Sequence, residues 1–335
     1  MTKKKTIGHT GTARRVVSFA VVIMALIVLF FWAVNTGSLH VSFSQLFKGL
    51  FVSYDKTVAT VYDLRFPRIF ISMMAGAALA VSGVLFQAVL KNPLADPGII
   101  GITSGASFFA VVVSTFFPML YFFTPLFAFL GGLLAFFLVY SLSWKGGLSP
   151  IRIILVGVAV QAMFTGLSSA LSSAGGMSSV SSIISANISM KTWNDVRTLA
   201  VYSLPGLVLS LFTAKACNLM ALEDKTARGL GVNVNRSRII VSCVAVLLAG
   251  ITTAVAGAVS FLGLIVPHIG RLLVGHDHKV LIPFSALMGA ALYLLADTLG
   301  RSIAYPAEIS ASVLMAVVGG PFFILLLRRS KTYGS

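Results

Sequence analysis

Read for polarity alone, the chain is a succession of long apolar stretches cut by short polar joints. The first stretch, Val16 to Val34, follows a basic segment holding Lys3, Lys4, Lys5, Arg14 and Arg15. Trp32-Ala33-Val34-Asn35-Thr36 offers no small-x-small cleavage site and further stretches follow, so an uncleaved first helix with a cytosolic N-terminus is expected. Val41 to Phe51 places Val41, Phe43, Leu46, Phe47 and Leu50 largely on one helical face. It is too short to span a bilayer, which predicts an interfacial helix on the outer side. A second span is predicted over Ile69 to Leu90, where Gly76, Ala80 and Gly83 leave flat surfaces for a close neighbour. Lys91-Asn92-Pro93-Leu94-Ala95-Asp96-Pro97 then breaks the helix, because two prolines cannot sit inside one continuous helix.

The third and fourth spans are predicted over 98–117 and 122–142, Lys145-Gly146-Gly147 marks a cytosolic turn, and the fifth runs from Pro150 to Ser173. Ser172 to Ser189 is rich in Ser, Gly and Asn, a polar stretch outside the membrane or lining a cavity; the sixth span covers 199–216. Between Arg238 and Val274 lie about 36 nearly uncharged residues, which as one helix would reach roughly 54 Å against a hydrocarbon core of about 30 Å. That segment therefore holds two spans with a turn near Gly257 to Gly263, and Pro267 distorts the second. The ninth span is predicted over 280–298 and the tenth over 308–327, ending in Arg328, Arg329 and Lys331. Ten spans place both termini on one side, and 18 of the 25 Lys and Arg then fall in the cytosol, as the positive-inside rule asks.

Composition agrees with this pattern. The hydrophobic share is 57%, against about 45–50% for soluble domains, and the mean hydropathy is +0.96. The formal charge of +16 does not imply nucleic acid, since the basic residues sit at the ends of apolar runs, where they orient spans toward lipid headgroups. Cys217 flanks a span and Cys243 lies within one, so no disulfide is expected. The expected class is an all-α polytopic membrane protein of about ten transmembrane helices. Its parts are a basic segment over 1–15, a single transmembrane domain over 16–328 and a cytosolic tail over 329–335.

Leu222-Glu223-Asp224-Lys225-Thr226-Ala227-Arg228-Gly229-Leu230-Gly231 is the densest charge cluster in a chain that is only 10% charged. It lies in a loop over 217–236 between two apolar runs. Ala221 to Arg228 has good helix formers, and Gly229 or Gly231 can supply a left-handed stop. Such a segment is either a docking element at the cytosolic face or a solvated connector. Asp297, near the outer end of span nine, is a functional candidate as an intramembrane acid; a structural partner in Arg301, one turn later, also explains it. Gln87 and Gln161 either line a pathway or bond across helices. No Walker A pattern, paired carboxylates or nucleophile–base set supports an enzyme.

Gly83-Val84-Leu85-Phe86-Gln87-Ala88-Val89-Leu90 with the following Lys91 to Gly98 resembles the most recognisable block of the FecCD-type permeases that import iron-siderophores, haem and vitamin B12 under ATP power. Glu223-x-x-x-Ala227-x-x-Leu230-Gly231-Val232 resembles their ATPase-coupling segment. Further matching blocks are Phe261 to His268 with Arg271 and Gly275 to His278, then Leu295 to Arg301, then Glu308-Ile309 with Gly319 to Phe323. The resemblance runs from Arg65 onward in the family's order. It implies a type II importer permease paired with itself or a sister permease, two ATP-binding-cassette subunits at the cytosolic face and an external substrate-binding protein.

On that resemblance Leu222, Glu223, Ala227, Leu230 and Gly231 contact the ATPase. Arg65, Arg68 and Arg301 face outward toward acidic residues of the binding protein, and Arg65 and Arg68, three apart, present one cationic patch. Gln87, Asn92, Pro93, Asp96, Gln161, Pro267 and Asp297 are pathway or packing candidates. The family moves metal already wrapped in its chelator, so His268, His276 and His278 with Asp277 are not expected to bind metal, and His276 and His278 are expected in a solvated turn. No cofactor is expected in this chain. Ile183 to Met190 lacks the family's first Trp and Gly-Ser pair, although Trp193 is present. The expected cargo is an iron chelate, a ferric siderophore first and haem or a corrinoid as alternatives, carried across a bacterial plasma membrane by alternating access. The rival class, an ion-coupled secondary transporter, needs buried ionisable groups, for which Asp297 is the only candidate acid.

Overall fold

The computed structural model describes residues 11–37, 41–143, 150–175, 186–231, 233–303 and 307–329. Expectations for Lys3 to Lys5, Lys145 to Gly147, most of Ser172 to Ser189, Val232 and Lys331 lie outside the described residues. Every element among the described residues is helical. Thr12–Asn35 forms α1, Phe43–Phe51 α2, Lys56–Leu64 α3 and Phe66–Val89 α4. Ile102–Phe116 is α5, Thr124–Ser143 α6, Pro150–Gly175 α7, Trp193–Phe212 α8, Ala214–Met220 α9 and Asp224–Gly229 α10. Val234–Ala256 is α11, Leu262–Val274 α12, His278–Ile303 α13 and Ala311–Arg329 α14.

Among the described residues, seven helical segments are long and apolar enough to cross a membrane, counting α3 and α4 as one continuous stretch over Lys56–Val89. Three shorter apolar helices, α5, α12 and the α14 stretch Ala311–Leu326, accompany them. The predicted turn between spans seven and eight falls where chain length demanded it, at Gly257 to Phe261. An α3 helix ahead of Arg65 was not expected. It forms because Asp55 caps its first turn by accepting from the amides of Thr57 and Val58.

The organising element is α4, 83% of whose most apolar window is buried although the whole of it reads as membrane-spanning. It is a central helix, wrapped by α8, α11, α12 and α13. Two close crossings set the packing. A Cβ on Gly76 would sit 2.2 Å from the Gly289 carbonyl oxygen of α13, and one on Gly83 would sit 2.1 Å from that of Gly263 in α12. Backbones touch at both points, so only glycine fits. At the opposite extreme α1 is largely exposed. Its start is tied down by Arg14 and Arg15, which donate to the carbonyls of Leu272 and Val274 at the end of α12.

Candidate functional site

The chemistry collects at the two ends and the last turns of α4. At its start, Arg68 donates from Nε to both carboxylate oxygens of Asp297 at 3.0 Å and from Nη2 to Oδ1 at 2.9 Å. Its Nη1 reaches Oε2 of Glu308 at 2.8 Å. Arg301 lies one turn beyond Asp297 on α13, with Nε 3.5 Å from Oδ2 of Asp297, and its Nη2 donates to the carbonyl of Ala33 at 3.3 Å. Ser189 donates to Glu308 at 2.6 Å. A cavity of about 380 Å³ opens onto this cluster between Asn187, Ser189, Glu308 and Ser310.

Burial corrects the expected geometry of the arginines. Arg68 is 5% exposed, Arg301 8% and Asp297 not at all, so two of the three arginines face inward and share one carboxylate. Arg65, at the junction of α3 and α4, is half-buried and donates to the carbonyl of Val34. The expected free patch is absent because an unpaired buried guanidinium is costly, and Asp297 and Glu308 both lie within reach. The structural reading of Asp297 is met at Arg301 and extended to Arg68. With two guanidiniums around it, Asp297 is no isolated acid of the kind a proton-coupled transporter uses.

The last turns of α4 meet a break in two helices. Gln87 donates to the carbonyls of Ala95 and Gly263, at 3.2 and 3.0 Å, and accepts from Arg271 of α12. Asp96 is 1% exposed; its Oδ1 accepts from the amides of Gly98 and Ile99, and its carboxylate also takes backbone hydrogen bonds from Phe261 and Gly263. A carboxylate thus sits at the N-terminus of α12, where the helix dipole favours negative charge. Asn92 turns the chain by accepting from the amide of Leu94. Pro93 is exposed, while Pro267 is buried inside α12. Gln161 packs its backbone against Gly101, whose φ of +81° allows α5 to start there. Gln87, Asn92 and Asp96 are brought together at the start of α12, the helix that carries Pro267; Gln161 lies on α7 against Gly101, and Asp297 stands at the opposite end of α4.

Just past α4, Lys91 donates to the carbonyl of Leu222 at 2.6 Å and to Oδ1 of Asp224 at 2.8 Å. Arg238 of α11 donates from Nη2 to both oxygens of the same carboxylate. The Lys91 hydrogen bond, with Arg238 beside it, holds the Asp224 carboxyl below its ordinary value. The charged segment expected to be helical from Ala221 starts instead at Asp224, because Glu223 takes an extended N-cap conformation. Ala227 is buried, whereas Leu222, Glu223 and Leu230 are exposed and Gly231 turns the chain at φ +79°. The short helix is therefore pinned at one carboxylate and presents a mixed surface, with Leu222, Glu223 and Leu230 exposed beside the basic Lys225 and Arg228.

His276 and His278 do not share a solvated turn. His278 is 8% exposed and its Nδ1 lies 2.7 Å from Oδ1 of Asn218, while Asp277 accepts from Nδ2 of Asn218 at 2.7 Å. This joint fastens α9 to the start of α13. Among the described residues no group of three or more His, Cys, Asp and Glu converges as a metal site. Glu308, Lys91 and Arg271 were missed as partners, since each is paired with residues more than a hundred positions away.

A helical membrane domain with a buried central helix and a pinned surface helix between two spans has the form of a transport subunit. The FecCD transport family model matches residues 25–329, and the chain belongs to that family. It is the permease subunit of an ATP-binding-cassette importer, not an enzyme; ATP is hydrolysed by a partner subunit. The chain is similar to the probable heme-iron transport system permease protein IsdF of Staphylococcus aureus strain Newman, 42% identical over 313 residues, 93% of this chain and 96% of that protein. The IsdF of strain MSSA476 matches to the same extent. Among solved structures, an inward-facing conformation of a metal-chelate type ABC transporter aligns with TM-score 0.77 and 28% identity over 94% of this chain and 99% of that one. PsaBC from Streptococcus pneumoniae in complex with Fab shares the fold, with TM-score 0.60 and 15% identity over 87% and 98% of the two chains.

Proposed function

We propose that this permease carries an iron chelate across the plasma membrane, with haem as the cargo that the observations favour over a siderophore or a corrinoid. The observation carrying this reading is the 42% identity, over 93% of the chain, to a probable haem-iron permease. The cargo is delivered by an external binding protein, and two permease chains, identical or sister, enclose the pathway. On this reading both termini and α10 face the cytosol, and the exposed Leu222, Glu223 and Leu230 seat in a groove of the ATPase. Closure of the paired ATPases on ATP moves α10, and the Lys91–Asp224–Arg238 joint passes that movement to α4 and α11 together. Arg65 remains the docking arginine best placed to meet an acidic binding protein, being half-buried where Arg68 and Arg301 are buried.

The test is growth and uptake in cells lacking the gene. Complementation with the wild-type chain should restore growth on haem as the sole iron source and uptake of iron-labelled haem. Restored uptake of a ferric hydroxamate or catecholate with haem uptake unchanged would overturn haem as cargo. No restored chelate uptake of any kind, with the chain present in the membrane, would overturn the importer reading itself.

A further inference from the structure

The Asp224 joint continues into a feature that coupling does not use. Between α6 and α11 lies an apolar groove of about 640 Å³. Phe136 and Phe137 of α6 form one wall, Ile239 and Cys243 of α11 the other, and Asn235 and Arg238 stand at one end. Phe137 and Ile239 are each 65% exposed, so the groove opens sideways along the apolar faces of two spans rather than into the interior. Its polarity is one-ended, apolar along its length and cationic at its mouth.

The charge at that mouth is unbalanced. One carboxylate, Asp224, serves both Lys91 and Arg238, the latter through Nη2 only. Nε of Arg238 is buried and has no hydrogen-bond partner. A cation held by half a counter-ion above an apolar trough is complementary to an amphiphile with an anionic head and an aliphatic tail. We infer that the groove is a binding site for one anionic phospholipid of the leaflet on the α10 side, its acyl chain between α6 and α11 and its phosphate at Arg238 and Asn235. Bound there, the headgroup bears on the same guanidinium that pins α10. The phosphate then shares that guanidinium with the Asp224 carboxylate, so occupancy of the groove bears on how firmly α10 is held. This second step rests on the coupling role proposed for α10; the site itself does not.

Native mass spectrometry of the purified permease–ATPase complex, extracted from nanodiscs of equal phosphatidylglycerol and phosphatidylcholine, tests the site directly. Wild type should retain phosphatidylglycerol over phosphatidylcholine by about fivefold, the amount one surface cation contributes. Arg238→Gln should bring the two lipids to parity. Cys243→Trp leaves the Arg238–Asp224 pair untouched but fills the trough, and should remove retained lipid of both kinds. A photo-crosslinking residue at Phe137 should capture lipid. Equal retention of the two lipids by wild type, undiminished retention by Cys243→Trp, or capture of a second copy of this chain at Phe137 would each overturn the inference. The coupling step is read separately, as ATP hydrolysis in nanodiscs with and without phosphatidylglycerol. A preference in binding with no change in hydrolysis would leave the lipid site standing and sink its link to α10.

Discussion

The two ion clusters at the ends of α4 use the same chemistry in opposite surroundings. At the Arg68 end the central carboxylate, Asp297, has no exposure and two guanidiniums converge on it. At the Lys91 end the central carboxylate, Asp224, has a side chain 35% exposed and again serves two cations. Burial makes the first an all-or-none device. Removing one member strands charge where water cannot compensate it, so geometry is fixed. Exposure makes the second adjustable, since water and salt can replace either partner at little cost. A helix about 36 Å long thus carries a rigid joint at one end and a yielding one at the other. That is a sensible division if the moving partner binds beside the yielding joint.

The largest effect should come from breaking the buried cluster. Asp297→Ala leaves Arg68 and Arg301 without their shared carboxylate and should cost about 3–5 kcal/mol, read as a large drop in the unfolding temperature of the purified permease. Replacing Arg68 and Asp297 together by Met and Leu should recover only part of that loss, because the buried Arg301 still lacks its carboxylate. A single mutant as stable as wild type would erase the contrast between the two ends. Next comes Gly83→Val, which forces α12 away from α4 at a crossing where even a Cβ would sit 2.1 Å from a carbonyl oxygen. An overpacking cost of about 1–3 kcal/mol is expected, and Gly83→Ala should cost less than Gly83→Val. Glu308→Gln should cost less, about 1 kcal/mol or under, because its side chain is 41% exposed and it contributes only one of Arg68's bonds. If Glu308→Gln equals Asp297→Ala in effect, the cavity side of the cluster is as dry as its core.

The spans were legible because bilayer thickness imposes a length that apolar runs either meet or exceed; the turn at Gly257 to Phe261 was found by that arithmetic alone. The Asp297–Arg301 contact was legible too, being a helical neighbour at i,i+4. The pairing of Arg68 with the same acid was not, since it joins residues 229 positions apart and Arg-Phe-Pro-Arg reads as a water-facing boundary. Hydropathy cannot distinguish an arginine at the membrane rim from one folded back under it. Similarly, the prolines at 93 and 97 announced a break after α4, but nothing local told that Asp96 would sit at the N-terminus of α12. The roles of the coupling and docking residues depend on partner surfaces, which neither hydropathy nor spacing within this chain encodes.

The smallest change in stability should fall at Asp224, and it separates folding from coupling. Its carboxyl is held below the ordinary 3.8, first by the hydrogen bond from Lys91, with Arg238 adding to it. A depressed value means the contribution is complete above the unfolded value and is lost only as pH falls through the lower folded one. Between pH 5 and pH 8 the cluster should therefore give no pH dependence of its own. Asp224→Asn should lower stability by less than about 1 kcal/mol, and by less again in high salt, where exposed pairs are screened. The joint nevertheless fixes Lys91, α10 and α11 in one arrangement, so the same substitution should sharply reduce cargo-stimulated ATP hydrolysis while leaving the basal rate of the ATPase intact. Reconstituted transporter with cargo and binding protein, assayed beside thermal unfolding of the same samples, reads both quantities. Loss of stability in proportion to loss of stimulation would make Asp224 another structural pair, no different in kind from Asp297. Loss of stimulation alone would make the yielding end of α4 the place where the ATPase acts.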